Sequence, residues 1–196
     1  SGYHQNHKNL ERAFADFLYV DNCLLFSSGY AANIAISLLL GQINAHCLID
    51  KAIHASIYDG LKLASVNYSR YIHNNINDLS KKLKPSTSNV IVLTEGIFSM
   101  SGQRAPLDAL ARLSVPLIVD EAHSFGILGE QGRGAVDEYG LGQDEVPLRV
   151  IPFGKTMASQ GALVAGKEEW IQALLQAGRS YTYSTSISPA LCYGLQ

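Results

Sequence analysis

The sequence predicts an α/β fold with three layers, helices on both faces of a mostly parallel sheet. Three observations predict it. Stretches with helical apolar spacing alternate with short apolar runs along the 196 residues. One run, Val90-Ile91-Val92-Leu93, is continuous and rich in β-branched residues, as expected of a strand buried on both faces. Several runs end in glycine or polar residues, and open α/β sheets bind ligands outside the carboxyl ends of their strands.

The elements follow in order. Leu10, Phe14, Phe17 and Leu18 have helical spacing. Cys23-Leu24-Leu25-Phe26 reads as a strand, and Ser27-Ser28-Gly29 opens a helix that reaches Leu40. The strand Cys47-Leu48-Ile49 leads to Asp50 and to a helix after His54 with Ile57, Leu61 and Leu63 at its apolar positions. Tyr68 to Ile72 reads as a strand and Ile76 to Leu83 as a helix. Lys84-Pro85-Ser86-Thr87-Ser88 has the composition of a surface loop. After Val90–Leu93, Pro106 is expected to begin a helix, because a first-turn proline loses no hydrogen bond. Leu117-Ile118-Val119 is a strand that ends in Asp120-Glu121-Ala122-His123, and Val150-Ile151-Pro152-Phe153 is one that breaks on Gly154 and presents Lys155. A glycine-bounded strand, Gly161 to Gly166, precedes a helix from Lys167 to Gln176 that carries Trp170. Gln196 falls inside a starting helix. With no repeat, low-complexity tract or linker, residues 1–196 read as one domain.

Composition narrows the function. A hydrophobic fraction of 47% with 16% charged residues gives enough apolar surface for a sizeable core. A formal net charge of −2 gives no bulk attraction to nucleic acid or anionic membrane, so neither is expected as a partner. No run is long enough to cross a bilayer. Cys23, Cys47 and Cys192 lie far apart and share no metal-like spacing, and the apolar surroundings of Cys23 and Cys47 predict buried free thiols, which suits a reducing cytosol. His4, His7, His46 and His73 have no metal-ligand spacing.

The chemistry gathers at the strand ends. Ser28-Gly29-Tyr30 joins a strand to a helix whose first amides have no internal partner and attract anions, although ordinary βα turns look the same. Asp120, at the end of a buried strand, needs a positive partner to offset its desolvation. Glu121 is an equal candidate on the residues alone. His123 can donate to a ligand oxygen, and His54 either lies flat on a ring or caps its helix. Lys155 begins with a pKa of about 10.4, which partial burial and a cationic neighbour would lower to free its amine. A lysine, an acid and an imidazole at neighbouring strand ends fit one aromatic aldehyde, pyridoxal 5′-phosphate (PLP). The lysine would make the Schiff base, the acid would face the pyridine nitrogen, and the imidazole would approach the phenolate.

In this order the motifs resemble the α-oxoamine synthases among the fold-type I PLP enzymes. They are Ser28-Gly29-Tyr30-Ala31-Ala32-Asn33, His54-Ala55-Ser56, Thr94-Glu95-Gly96-Ile97-Phe98-Ser99-Met100, Val119-Asp120-Glu121-Ala122-His123, Gly129-Glu130-Gln131-Gly132-Arg133-Gly134, Phe153-Gly154-Lys155 and Tyr183-Ser184-Thr185-Ser186. The resemblance implies a decarboxylative condensation of an amino acid with an acyl thioester. Within the family it lies nearest to members that use L-alanine and a pimeloyl-CoA or pimeloyl-carrier-protein donor. Sister members make 2-amino-3-ketobutyrate, 5-aminolevulinate or the sphingoid-base precursor. A non-catalytic homologue is the rival of a different class.

The resemblance also implies roles. Lys155 would carry the cofactor and move the Cα proton, Asp120 would pair with the ring nitrogen, and His123 would contact the phenolate oxygen. His54 would stack on the ring and border the substrate. Gly29 and Tyr30 would offer amides to the cofactor, Ser99 would add a polar contact, and Glu95 beside it is a weaker candidate. Thr185 would reach the phosphate held by the other subunit of a homodimer. It further implies a segment before Ser1 and a small domain after Gln196 carrying a carboxylate-binding arginine, so that this chain is the cofactor-binding large domain. The sequence departs from the family pattern at Pro152, where threonine is common, at Ser101 for aspartate, and at Thr156-Met157-Ala158 for a run of small residues.

Overall fold

Residues 2–83 and 89–196 are described by the computed structural model of the protein. Among them, strands β1 (Asn22–Phe26), β2 (His46–Asp50), β3 (Asn67–Tyr71), β4 (Val90–Glu95), β5 (Leu117–Asp120), β6 (Leu148–Pro152) and β7 (Ala162–Gly166) form one sheet. Its order is β1-β7-β6-β5-β4-β2-β3. The pairs from β3 through β2, β4 and β5 to β6 are parallel, while β7 runs antiparallel to both β6 and β1. All strands except β7 therefore deliver their carboxyl ends to the same edge.

Helices α2 (Gly29–Gln42), α3 (Ala55–Leu63) and α7 (Glu168–Ala177) cover one face. On the opposite face, α4 (Ile76–Lys82), α5 (Leu107–Ala111) and α6 (Ala135–Glu138) pack over one half, and α1 (Gln5–Leu18) over the other. Short helices α8 (Arg179–Thr182) and α9 (Pro189–Gly194) complete the chain. This is the three-layer α/β/α arrangement expected from the sequence.

Strand parity sorts the side chains. Ile118 points toward α2, whereas Leu117 and Val119 point to the far face. The same alternation places Ile91 and Leu93, and Leu148 and Val150, on the α2 side. Successive strand residues point to opposite faces, so each polar residue that ends a strand takes its face from this count. Helix α2 is apolar nearly all round because it lies between the sheet and α3, α7 and α8. Ser28 starts it, its Oγ accepting the Ala31 N–H at 3.1 Å.

Three local expectations change. Leu63 is not an apolar-face residue of α3: it is 67% exposed, because the helix ends there and turns into the surface at Ala64. Pro106 caps α5 rather than occupying its first turn. Gln196 lies beyond α9, which ends at Gly194. The expected loop at 84–88 lies outside the described residues. Cys23 and Cys47 are free and buried, as expected, and Cys192 is free and buried as well. No described helix is long and apolar enough to cross a membrane.

Candidate active site

The carboxyl ends of β2, β4, β5 and β6 and the first turn of α2 enclose a cavity of about 110 Å³. Its walls include Gly29, Tyr30, His54, Asp120, His123 and Lys155, six residues singled out in the sequence from four separate motifs. A larger groove of about 590 Å³ lies among α1, β1 and α7 and gathers none of them.

Asp120 is the last residue of β5 and shares the parity of Ile118, so it faces α2. Its carboxylate is 5% exposed and held on both oxygens. Oδ2 accepts from Asn33 Nδ2 at 2.9 Å and Oδ1 from the Ala122 N–H at 3.0 Å. Asn33 Nδ2 also donates to Ser56 Oγ at 2.9 Å, and Ser56 Oγ lies 2.8 Å from His54 Nδ1. A continuous polar chain thus runs from His54 through Ser56 and Asn33 to Asp120.

Glu121 is the next residue and takes the other face. It is fully buried, and its oxygens accept from Ala135 N at 2.8 Å, Val136 N at 3.0 Å and Ser124 Oγ. Arg149 Nη1 stands 3.8 Å from it. Gly134 has φ +101°, and a Cβ there would lie 2.6 Å from Glu121 Oε2. The Gly-Arg-Gly motif therefore gives a buried carboxylate room and donors. The ambiguity between Asp120 and Glu121 ends here: Asp120 faces the cavity and Glu121 holds the loop that follows β5.

His54 caps α3, its Nδ1 accepting the Ser56 N–H at 3.3 Å, and it also borders the cavity. The capping role is observed, and the place at the cavity wall is where a stacking role would require the ring to be. Burial, with Lys155 and His54 nearby, lowers the His123 pKa, which keeps that imidazole neutral near pH 7. Lys155 follows β6 in a turn and is exposed, so the expected partial burial is not met. The chain leaves the sheet after Pro152, and only the lysine's reach back over the strand end brings it to the wall it shares with Asp120 and His123.

Glu95 ends β4 and lines the same cavity at 2% exposure. Its Oε2 accepts the Ser99 N–H at 3.3 Å, while Oε1 is buried without a hydrogen-bond partner. Burial, together with the charge of Asp120, pushes its pKa up to about 7. Ser99 itself is exposed and meets this site through its backbone, and Thr185 is exposed on a separate groove with Tyr3 and Ser186.

Asn33 and Ser56 were not among the residues singled out for chemistry. Both lie inside quoted motifs, four residues after Gly29 and two after His54, and that spacing is the signal that could have found them. No cluster of metal-ligating side chains exists among the described residues.

Comparison with known proteins agrees with this geometry. The profile of the class I and II aminotransferases matches residues 1–196. The chain is 44% identical over 195 residues to an 8-amino-7-oxononanoate synthase of Pseudomonas fluorescens, covering 97% of this chain and 50% of that protein. The crystal structure of 8-amino-7-oxononanoate synthase from Francisella tularensis superposes with TM-score 0.90 at 36% identity, covering 100% of this chain and 58% of the other. Serine palmitoyltransferase from S. paucimobilis, with a bound PLP–myriocin aldimine, superposes with TM-score 0.92 at 30% identity, covering 99% and 50%. The chain spans about half the length of the curated relatives it matches.

Proposed function

The chain belongs to the class I and II aminotransferase family, and from that premise we propose that it is the cofactor-binding large domain of an α-oxoamine synthase. The reaction is the PLP-dependent condensation of L-alanine with a pimeloyl thioester, with loss of carbon dioxide, to give 8-amino-7-oxononanoate for biotin synthesis. The enzyme is a cytoplasmic homodimer with a shared site, and its partners are small molecules. The carrying observation is the convergence of Asp120, His123 and Lys155 on one cavity at the carboxyl edge of the sheet. The similarity to 8-amino-7-oxononanoate synthases over 97% of the chain supports the product.

The residues fit the cofactor. PLP, when bound, supplies an electron sink that stabilises negative charge at the substrate Cα. Asp120, held by Asn33 and Ala122, would pair with the ring nitrogen. His123 would donate to the phenolate oxygen. His54, fixed by Ser56, would stack on the ring and border the substrate. Lys155 would hold the cofactor and move the substrate Cα proton. Gly29 and Tyr30 direct first-turn amides at the cofactor, and the positive end of the α2 dipole favours an anion there. Ser99 adds a polar contact, and Thr185 serves the phosphate held by the partner subunit.

The cavity of about 110 Å³ is below the roughly 300–1,000 Å³ usual for ligand sites, which supports a site completed by another subunit or domain. Pro152 stands where the family commonly has a hydroxyl, and the α2 amides carry the anion without it.

The test uses the full-length protein. Added PLP gives a visible band that borohydride fixes to the protein, and Lys155→Ala removes the fixable band. Thiol release is fastest with alanine among glycine, alanine and serine. An unchanged band in Lys155→Ala sinks the lysine assignment. A preference for serine or glycine moves the protein to a sister synthase, the reading favoured by its superposition on serine palmitoyltransferase.

A further inference from the structure

Two carboxyl groups, not one, face the cavity from the sheet. Glu95 and Asp120 are direct partners in the β4–β5 register, on adjacent parallel strands and with side chains on the same face. Asp120 has donors on both oxygens, whereas Glu95 Oε1 has none. A buried polar atom without a partner costs about 1–3 kcal/mol, more if charged, unless a ligand or a proton satisfies it. Two like charges at neighbouring strand ends in a desolvated wall disfavour one another, which holds a proton on the pair more tightly.

We propose that Glu95 is a further residue of the cofactor pocket: it forms a carboxyl pair with Asp120, holds the pair's proton before the cofactor binds, and releases that proton to solvent when a cationic ring nitrogen settles against the pair. This rests on the PLP reading above and extends it. Below its raised pKa Glu95 carries the proton in the cofactor-free protein, and a cation settling against the pair favours its release. Other titratable groups around Glu95 are Tyr30 from α2, Asp50 from β2, His54 before α3, His123 after β5 and Lys155 after β6. Asp50 faces the other side of the sheet, its Oδ1 2.9 Å from His73 Nδ1. The raised Glu95 pKa, caused by burial and by Asp120, is consistent with the proton sitting there.

The test is PLP affinity as a function of pH in the full-length protein, wild type against Glu95→Gln. Gln copies the neutral acid in shape and cannot lose a proton. If the cofactor lowers the Glu95 pKa by one unit, the wild type binds about twofold tighter than the variant at pH 6 and about tenfold tighter at pH 8. An affinity ratio that does not change with pH overturns the proposal. Difference infrared spectra of the cofactor-free protein provide a second measurement. The wild-type minus Glu95→Gln difference at pH 6 contains a protonated carboxyl band that belongs to Glu95, because Glu11 and Glu121, whose pKa values burial also raises, are common to both proteins, and absence of that difference band also overturns the proposal. Failure of the wild type to bind PLP at all is a separate outcome, which removes the functional reading and the pair's role with it.

Discussion

Gly29 and Pro152 occupy each other's space: a Cβ added to Gly29 would lie 2.7 Å from the Pro152 Cγ. Gly29 begins α2, and Pro152 ends β6 with its ring turned toward that helix, so the contact sets how close the first-turn amides come to the strand edge. Gly29→Ala is expected to destabilise the protein by about 1–3 kcal/mol through overpacking. The loss should shrink in a Pro152→Ala background, where the ring is gone. A double-mutant cycle on urea midpoints measures it, and equal losses in both backgrounds would show that the two residues do not compete.

Asn33 joins two polar residues with one amide. Asn33→Ala removes the donor to Asp120 and to Ser56 together. The expected cost is about 1.5–3 kcal/mol, since one acceptor is charged. The same change weakens cofactor binding, because Asp120 loses the amide that positions its Oδ2 in the cavity wall. Chemical denaturation and a PLP titration read these two effects separately.

Arg149 lies on the face away from the cavity. It donates to the Leu18 carbonyl at 2.9 Å and stands near Glu121 at 4% exposure. Arg149→Met leaves Glu121 buried beside no cation, a change worth about 3–5 kcal/mol of stability. PLP affinity of the folded variant is expected to stay near wild type, because no residue of the cavity wall contacts Arg149 directly. A large affinity loss in a variant that remains folded would contradict the separation of the two faces.

The stability of the cofactor-free protein carries a pH signature of Glu95. Its folded pKa is raised from 4.5 to about 7, so between those values the folded state binds the proton more tightly than the unfolded chain. That contribution is fully present below pH 4.5 and is lost as pH rises to about 7. His123, with its lowered pKa, acts in the opposite sense and costs stability as pH falls below about 6.5. Subtracting the pH profile of Glu95→Gln from that of the wild type isolates the first effect, because His123 is common to both. A difference that is flat from pH 4.5 to 7 would contradict the raised value.

Much of this molecule is legible along the chain. Continuous apolar runs such as Val90–Leu93 are strands because burial on both faces admits no polar side chain, and the helical spacing of Leu10, Phe14 and Leu18 gives α1 its buried stripe. Their alternation, together with Gly29, Asp120, His123 and Lys155 beside strand ends, was enough to expect a cavity at the carboxyl edge, where the structure has one. Local pattern carries that information because strand and helix periods are properties of the backbone itself.

Which neighbour each strand end receives is not a local property. The pairing of Glu95 with Asp120 depends on β4 lying next to β5 in a fixed register, and strands adjacent in space are separated here by a helix and two loops. Parity then sends Asp120 to the cavity and Glu121 to Arg149, a choice that two consecutive acids in a sequence cannot reveal. The Gly29–Pro152 contact likewise joins residues 123 positions apart. Residue type and order determined the chemistry that this protein contains. Only the packed sheet decided which groups stand side by side, because desolvation and hydrogen bonding act between neighbours in space.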